Sequence, residues 1–234
     1  MPSHSSAQPR GPLIELVVTL LIPSLILMKL SGPEHLGTAN ALLTALAFPL
    51  GWGVWEYLRA RKLNFFAALG FVSVLLTGGI GLLQLDPKWL AVKEAAIPAL
   101  IGMAVLVSLR TRYPLIKTLL YNPAILDVDR VQAALVARGS EADFERRMSN
   151  ATLMLSATFF FSAAMNYFLA TWIVTSPAGS AAFNQELGQL TLLSYPVIAL
   201  PSTVMMMLIL YYLARVIRQL TGLRLTEVLN GAQR

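Results

Sequence analysis

The sequence predicts an all-α fold: a polytopic membrane bundle of about six transmembrane helices with a cytoplasmic helical hairpin between the fourth and the fifth. Three observations predict this class. Hydrophobic residues make up 56% of the 234 residues, and the mean hydropathy is +0.64. Only 13% of the residues are charged, whereas about a quarter are charged in an ordinary soluble domain. Apolar runs recur along the whole chain, and basic residues follow several of them.

Each apolar run is near the length of about 20 residues that a helix needs to cross a bilayer. Six spans are predicted, at about residues 12–30, 38–57, 65–85, 89–109, 151–174 and 192–213. They divide the chain into a disordered N-terminal tail at 1–11, transmembrane helices one to four at 12–109, a cytoplasmic amphipathic helical segment at 110–150, transmembrane helices five and six at 151–214, and a cytoplasmic C-terminal tail at 215–234. In the first span, Pro23 removes one helical hydrogen bond and predicts a kink.

The segment at 110–150 contains the predicted hairpin. Val128, Val131 and Leu135 recur at helical spacing and predict one helix, which Gly139 ends. Ser140 with Asp143 forms a weak capping box for a second helix, which carries Phe144 and Met148 on one face. The segment is too short to build a core of its own. The hairpin is therefore expected to lie on the membrane or over the bundle.

Charge sets the predicted orientation. With six spans, fifteen of the eighteen lysines and arginines fall on one side of the membrane, together with both termini. Basic residues concentrate on the cytoplasmic side, so both termini are predicted to be cytoplasmic. The net charge of +6 is explained in the same way, and no nucleic-acid partner is predicted.

The fourth span carries the main candidate residues. Asp86 is positioned to cap its first turn. Lys93 and Glu94 follow about two turns in, and Pro98 leaves the Glu94 carbonyl without its helical donor. An ionisable residue at membrane depth suggests a function, but the alternative is that both side chains lie in the outer headgroup zone. Because consecutive helical residues point about 100° apart, the two are not expected to pair with each other.

Two further features are candidates. Gly78 and Gly79, in the third span, either allow another helix to approach closely or contact a substrate. Asn166, deep in the fifth span, either hydrogen-bonds to a neighbouring helix or lines a polar path. A third feature is the similarity of residues 22–28 (IPSLILM) to residues 97–103 (IPALIGM), which is either an inverted repeat or chance.

No catalytic, cofactor-binding or metal-binding motif is present in the sequence. The chain has no cysteine, which excludes a thiolate metal site and a cysteine nucleophile. Its two histidines, His4 and His35, lie in a polar tail and a loop, so no histidine metal site is predicted. No cofactor and no enzymatic activity are expected.

Several short motifs resemble a known family. Lys93 followed by Ile97-Pro98, and then the segment Pro114–Leu120, are similar to the central region of bacterial intracellular septation protein A and its inner-membrane relatives. The Gly78-Gly79 pair before Asp86 and the pair Asn166-Tyr167 also fit. The resemblance covers roughly residues 64–121 and 150–176. The segment from Asn122 to Met148 departs from the septation proteins.

The resemblance implies an inner-membrane protein with a role in envelope maintenance or cell division. Its partners would be the lipid bilayer and other inner-membrane envelope or division proteins, and a homo-oligomer is left open. The alternative from the residues themselves is a small-solute or lipid transporter or flippase, with a path near Glu94, Asn166 and the glycines of the third span.

The topology gives a first prediction. Reporter fusions after Lys62, Leu120 and Arg234 should all read cytoplasmic, because the basic clusters hold these segments inside. A fusion near Gly179, in a connection without lysine or arginine, should read external. Inversion of any one of the four reporters would contradict the six-span topology.

Overall fold

The computed structural model describes residues 12–60, 65–111, 116 and 126–228. The predicted tail at 1–11 and most of the Pro114–Leu120 motif lie outside these residues. The described residues are helical and contain no strand. In chain order the helices are α1 (Pro12–Leu16), π1 (Val17–Leu21), α2 (Ile22–Lys29), α3 (Thr38–Ala60), α4 (Phe65–Leu82), α5 (Lys88–Ser108), α6 (Val128–Ala137), α7 (Glu141–Ile173), α8 (Ala181–Ser194), π2 (Tyr195–Ala199), α9 (Leu200–Thr221) and α10 (Leu225–Val228).

Four helical segments are long and apolar enough to cross a membrane, and they contain the predicted second, fourth, fifth and sixth spans. Their bounds are Thr38–Arg59, Lys88–Ser108, Glu141–Ile173 and Ala181–Thr221. The predicted first span lies on α1, π1 and α2, and the third on α4. The prediction of an all-α chain is therefore confirmed for the described residues, together with four helical segments long and apolar enough to cross a membrane.

Proline changes the helix register at two places. Before Pro23, the Ile22 N–H donates to the Val17 carbonyl, one residue further back than in an α-helix, and this forms π1. The predicted disturbance at Pro23 thus takes the form of a π-helical turn. The second such turn, π2, contains Pro196, and it joins α8 to α9 without a loop.

Two predicted boundaries differ from the structure. α7 runs unbroken past residue 150, because no proline or glycine lies between Glu141 and Ile173. The second arm of the hairpin is therefore the beginning of the fifth span. The sixth predicted span begins earlier, because Ser180 caps α8 by accepting from the Phe183 N–H. The hydroxyl of Ser140, which is predicted to cap α7, donates to the Leu220 carbonyl at 3.1 Å.

The described chain folds into two compact units. The first contains residues 12–60, 65–94 and 166–197, and the second contains 95–111, 116, 126–165 and 198–228. The chain passes between them inside α5, α7 and π2. The two similar heptapeptides, 22–28 and 97–103, belong to different units.

In the first unit, α2 packs against α3 and α8, and α3 packs against α4. Glycines permit these approaches. A methyl group built on Gly188 would lie 2.8 Å from the Ser24 carbonyl oxygen, and one on Gly81 would lie 2.5 Å from Leu42 Cδ2. The α2–α8 contact is therefore nearly backbone to backbone.

The second unit has an apolar core to which α6, α7 and α9 contribute. Val131 and Leu135 of α6 are fully buried, as are Phe144 and Met148 of α7. They pack in one cluster with residues such as Val216 of α9. The apolar residues predicted to share a face on each of these two helices are thus buried against protein.

The glycine pair behaves unequally. A methyl group on Gly78 would meet Leu46 Cδ1 at 2.7 Å, whereas one on Gly79 would meet no atom of the described residues within 4 Å. The interpretation that both glycines allow close packing is therefore wrong for Gly79. The tight positions on α4 are Gly78 and Gly81.

This difference gives a second prediction. Gly81→Leu should lower the free energy of unfolding in detergent by about 1–3 kcal/mol relative to Gly79→Leu, because it overpacks the contact with Leu42 and Phe183. The two variants make the same change in helix propensity on one helix. Equal melting temperatures for the two would contradict the packing assigned to Gly81.

Candidate functional site

The candidate site lies where the first turns of α5 face α4. Asp86 begins α5 as predicted, since its carboxylate accepts the Lys88 backbone N–H at 2.9 Å. This cap fixes the start of the helix. Lys93 follows five residues after Lys88, about 7.5 Å along the axis. The α5 backbone thereby places the Lys93 side chain against the middle of α4.

Lys93 is the centre of the site. Its ammonium nitrogen lies 2.8 Å from Thr77 Oγ1, 3.1 Å from Ser73 Oγ and 2.7 Å from Glu94 Oε1. An ammonium group has three N–H donors, so all three have an acceptor. The side chain is only 8% exposed. The Lys93 side chain is therefore largely covered by protein.

The ion pair corrects a prediction from the sequence. Lys93 and Glu94 are adjacent and leave the helix in different directions, yet their charged groups are in contact. The four-carbon stem of lysine is long and flexible, so the ammonium can swing round the helix surface to its neighbour. The charge of Lys93 is thereby neutralised within the site.

The two hydroxyls are held ready for Lys93 by α4. Ser73 and Thr77 are four residues apart, so they lie on the same face one turn apart. The Thr77 hydroxyl donates to the Ser73 carbonyl at 3.1 Å, which directs its lone pairs toward Lys93. Sequence reasoning missed both residues, although hydroxyls at this spacing in an apolar helix are a usable signal.

Glu94 is the more accessible member of the pair, with a side chain 30% exposed. Pro98 lies inside α5 one turn further on and has no N–H to offer the Glu94 carbonyl. The carboxylate and the backbone carbonyl of Glu94 thus place two hydrogen-bond acceptors on one turn of α5. No group of three or more metal-ligating side chains occurs in the described ranges.

The remaining candidates are placed apart from this contact. Gly78 is next to Thr77, but its close contact is with Leu46 of α3. Asn166 lies on α7; it is partly buried and has an interaction of its own. The choice between an interhelical bond and a polar path stays a prediction for Asn166.

A second polar cluster, which sequence reasoning missed, joins α8 to the turn between α2 and α3. Asn184 is 1% exposed, and its amide donates to Ser31 Oγ at 3.1 Å and to the Thr38 carbonyl at 2.8 Å. Ser31 in turn donates to the Leu27 carbonyl. These bonds fix the orientation of the amide. Nearby in the sequence, Glu186 accepts the backbone N–H groups of Thr175 and Ser176 and so holds the loop before α8.

Comparison with other proteins identifies no relative: no family model, no curated protein and no solved structure matches the chain. The resemblance to septation protein A thus stands on the short motifs alone.

The Lys93 contacts give a third prediction. Lys93→Met should lower the free energy of unfolding by about 1–3 kcal/mol, because it leaves Glu94, Ser73 and Thr77 without their donor. Adding Glu94→Gln to it should cost less than the two single changes together, with a coupling of about 0.5–3 kcal/mol. The measurement is thermal unfolding in detergent.

Lys88 provides the matched control, because it lies on the same helix and its side chain is 86% exposed. Lys88→Met should change stability by less than about 1 kcal/mol, as is usual for an exposed ion pair. Additive effects of Lys93→Met and Glu94→Gln would show that the pair does not act as a unit.

Proposed function

We propose that the chain is a non-enzymatic, six-span protein of a bacterial inner membrane that acts by binding lipids or other membrane proteins through its helix surfaces. Four of the six spans correspond to helices of sufficient length and apolarity. The first and third spans, on α1–α2 and α4, complete the count that places all basic clusters on one side. Both termini are then cytoplasmic.

The observation that carries the proposal is the saturation of Lys93. A cation that lines a transport path needs donors free to meet the solute. The three donors of Lys93 are already committed to Glu94, Ser73 and Thr77. The cluster therefore supports a fixed helix pair better than a path. By contrast, many large apolar side chains are exposed on the helices, such as Leu200 and Trp172, and these are suited to contact with lipid and with partner helices.

From the motif resemblance, we propose that this binding serves maintenance of the cell envelope or cell division. The candidate partners are inner-membrane envelope or division proteins, or a second copy of the chain. The resemblance includes Lys93 and Pro98, which the structure places at and near the saturated cluster.

A second candidate function is transport of a small solute or a lipid, and one specific observation favours it. Glu94 is 30% exposed, and Pro98 leaves its carbonyl without a helical donor. A ligand with donor groups would find two acceptors on this turn of α5. In this case the carboxylate itself is required for function, beyond its contribution to stability.

The experiment that separates the two candidates is an envelope-integrity assay of a strain whose only copy of the gene carries Glu94→Gln, Glu94→Ala or Asn166→Ala. Under the binding function, envelope integrity should follow protein level and melting temperature in all three variants. Under transport, Glu94→Gln should lose more function than its protein level and melting temperature account for, because it keeps the shape of the side chain and removes the carboxylate.

Lys88→Gln is the control, since it removes an exposed charge from the same helix. Loss of envelope integrity by Glu94→Gln beyond what its protein level and melting temperature account for would overturn the binding function in favour of transport. An intact envelope in a strain that lacks the gene would contradict the envelope role.

A further inference from the structure

One face of α9 combines an exposed apolar stripe with two arginines in line with it. The apolar members, with their exposed fractions, are Leu200 61%, Val204 59%, Met207 62%, Leu208 61% and Tyr211 65%. Arg215 and Arg218 follow and are also exposed. At 100° per residue, all seven fall within about 100° of arc. We call this set the α9 stripe.

The opposite face of α9 is buried within the second unit. Ile209, Val216 and Ile217 are 1–5% exposed and belong to the apolar core of the second unit. The α9 stripe therefore faces away from that core. Its apolar character is not explained by packing within the unit.

The two arginines carry unneutralised charge. Neither Arg215 nor Arg218 forms an ion pair within the part of the chain that the structure describes. Residues 211–222 contain no aspartate or glutamate, so α9 itself offers no helical neighbour of opposite charge. Two guanidinium groups one turn apart present forked donors that match the oxygens of a phosphate.

The dimensions of the stripe fit one kind of molecule. From Leu200 to Tyr211 the helix rises about 16 Å, close to the depth of one leaflet, which is half of the hydrocarbon core of about 30 Å. Tyrosine is typical of the boundary between hydrocarbon and headgroups, and Tyr211 stands between the apolar part and the arginines. Along the helix, the residues suited to contact an acyl chain therefore come first, the boundary residue Tyr211 comes next, and the two arginines that can bind an anion come last.

We propose that the α9 stripe binds an anionic phospholipid, with an acyl chain along Leu200–Leu208 and the phosphate on Arg215 and Arg218. The charge complementarity of the arginines selects an anionic headgroup over a zwitterionic one. The inference rests on the membrane-spanning part of the proposed function, and it names the lipid class that the proposed lipid-binding surface prefers.

The test uses the full chain purified in a nonionic detergent, with thermal unfolding and native mass spectrometry as readouts. Phosphatidylglycerol should raise the melting temperature and be retained, whereas phosphatidylcholine with the same acyl chains should do so far less. Glycerol phosphate and inorganic phosphate should have no effect, because they lack the acyl chain. A response to inorganic phosphate equal to that of phosphatidylglycerol would overturn the proposal.

Arg215→Gln/Arg218→Gln should weaken phosphatidylglycerol binding about thirty-fold, which corresponds to about 2 kcal/mol, since a basic residue near an anionic surface contributes about 1 kcal/mol. The matched control is Arg146→Gln/Arg224→Gln, which removes the same charge at exposed positions outside the stripe. Without lipid, all variants should melt with the wild type, because exposed substitutions rarely change stability by more than about 0.5 kcal/mol.

Equal weakening by the stripe variants and the control variants would overturn the proposal, because it would show a general charge effect. A change in oligomer mass with no lipid dependence would overturn it in favour of a second copy on this face. Failure of the membrane-spanning assignment is distinguishable, since alkaline extraction would then release the chain from membranes. A chain that resists extraction but binds both lipids equally would contradict the lipid inference alone.

Discussion

The ammonium group of Lys93 sets a strict condition on the helices around it. A charged group among apolar helices is costly unless its donors are all satisfied. The solution is local: Glu94 neutralises the charge, and Ser73 and Thr77 complete the set of acceptors. Because two of the acceptors belong to α4, the condition also fixes the contact between α4 and α5.

Other buried polar residues of the first unit meet the same condition only in part. Asn184 gives its amide protons to Ser31 and Thr38, which ties α8 to the turn that joins α2 and α3. Its Oδ1 atom is buried and has no hydrogen-bond partner among the described residues, and the same holds for Ser24 Oγ. Both lie on the α2–α8 seam, where Gly188 brings the backbones together. A buried acceptor left unpaired costs about 1–3 kcal/mol. These two atoms therefore destabilise the α2–α8 contact, and the close packing of the two helices has to offset that cost.

The second unit is held together mainly by apolar packing. Its core is apolar, and it joins the hairpin helix α6 to the inner faces of α7 and α9. The polar contacts lie at the edge of this core, where Arg130 donates to the Glu227 carbonyl and Ser140 to the Leu220 carbonyl. The helix α6 is therefore attached through its buried apolar face, and the outer face of α9 stays exposed among the described residues.

The sequence by itself determined the class, the position of most helices and the buried faces of the hairpin, because each depends on local composition and periodicity. Asp86 as a helix cap belongs to the same group. The extents of α7 and α8 are equally local, since they follow from the absence of proline and glycine in α7 and from the Ser180 cap. The sequence could not determine that Lys93 pairs with Glu94 or that Gly81 and not Gly79 is tight. These outcomes depend on which helix lies opposite each side chain. Only the tertiary structure decides that, since it brings Ser73 and Thr77 to a lysine about 16–20 residues away.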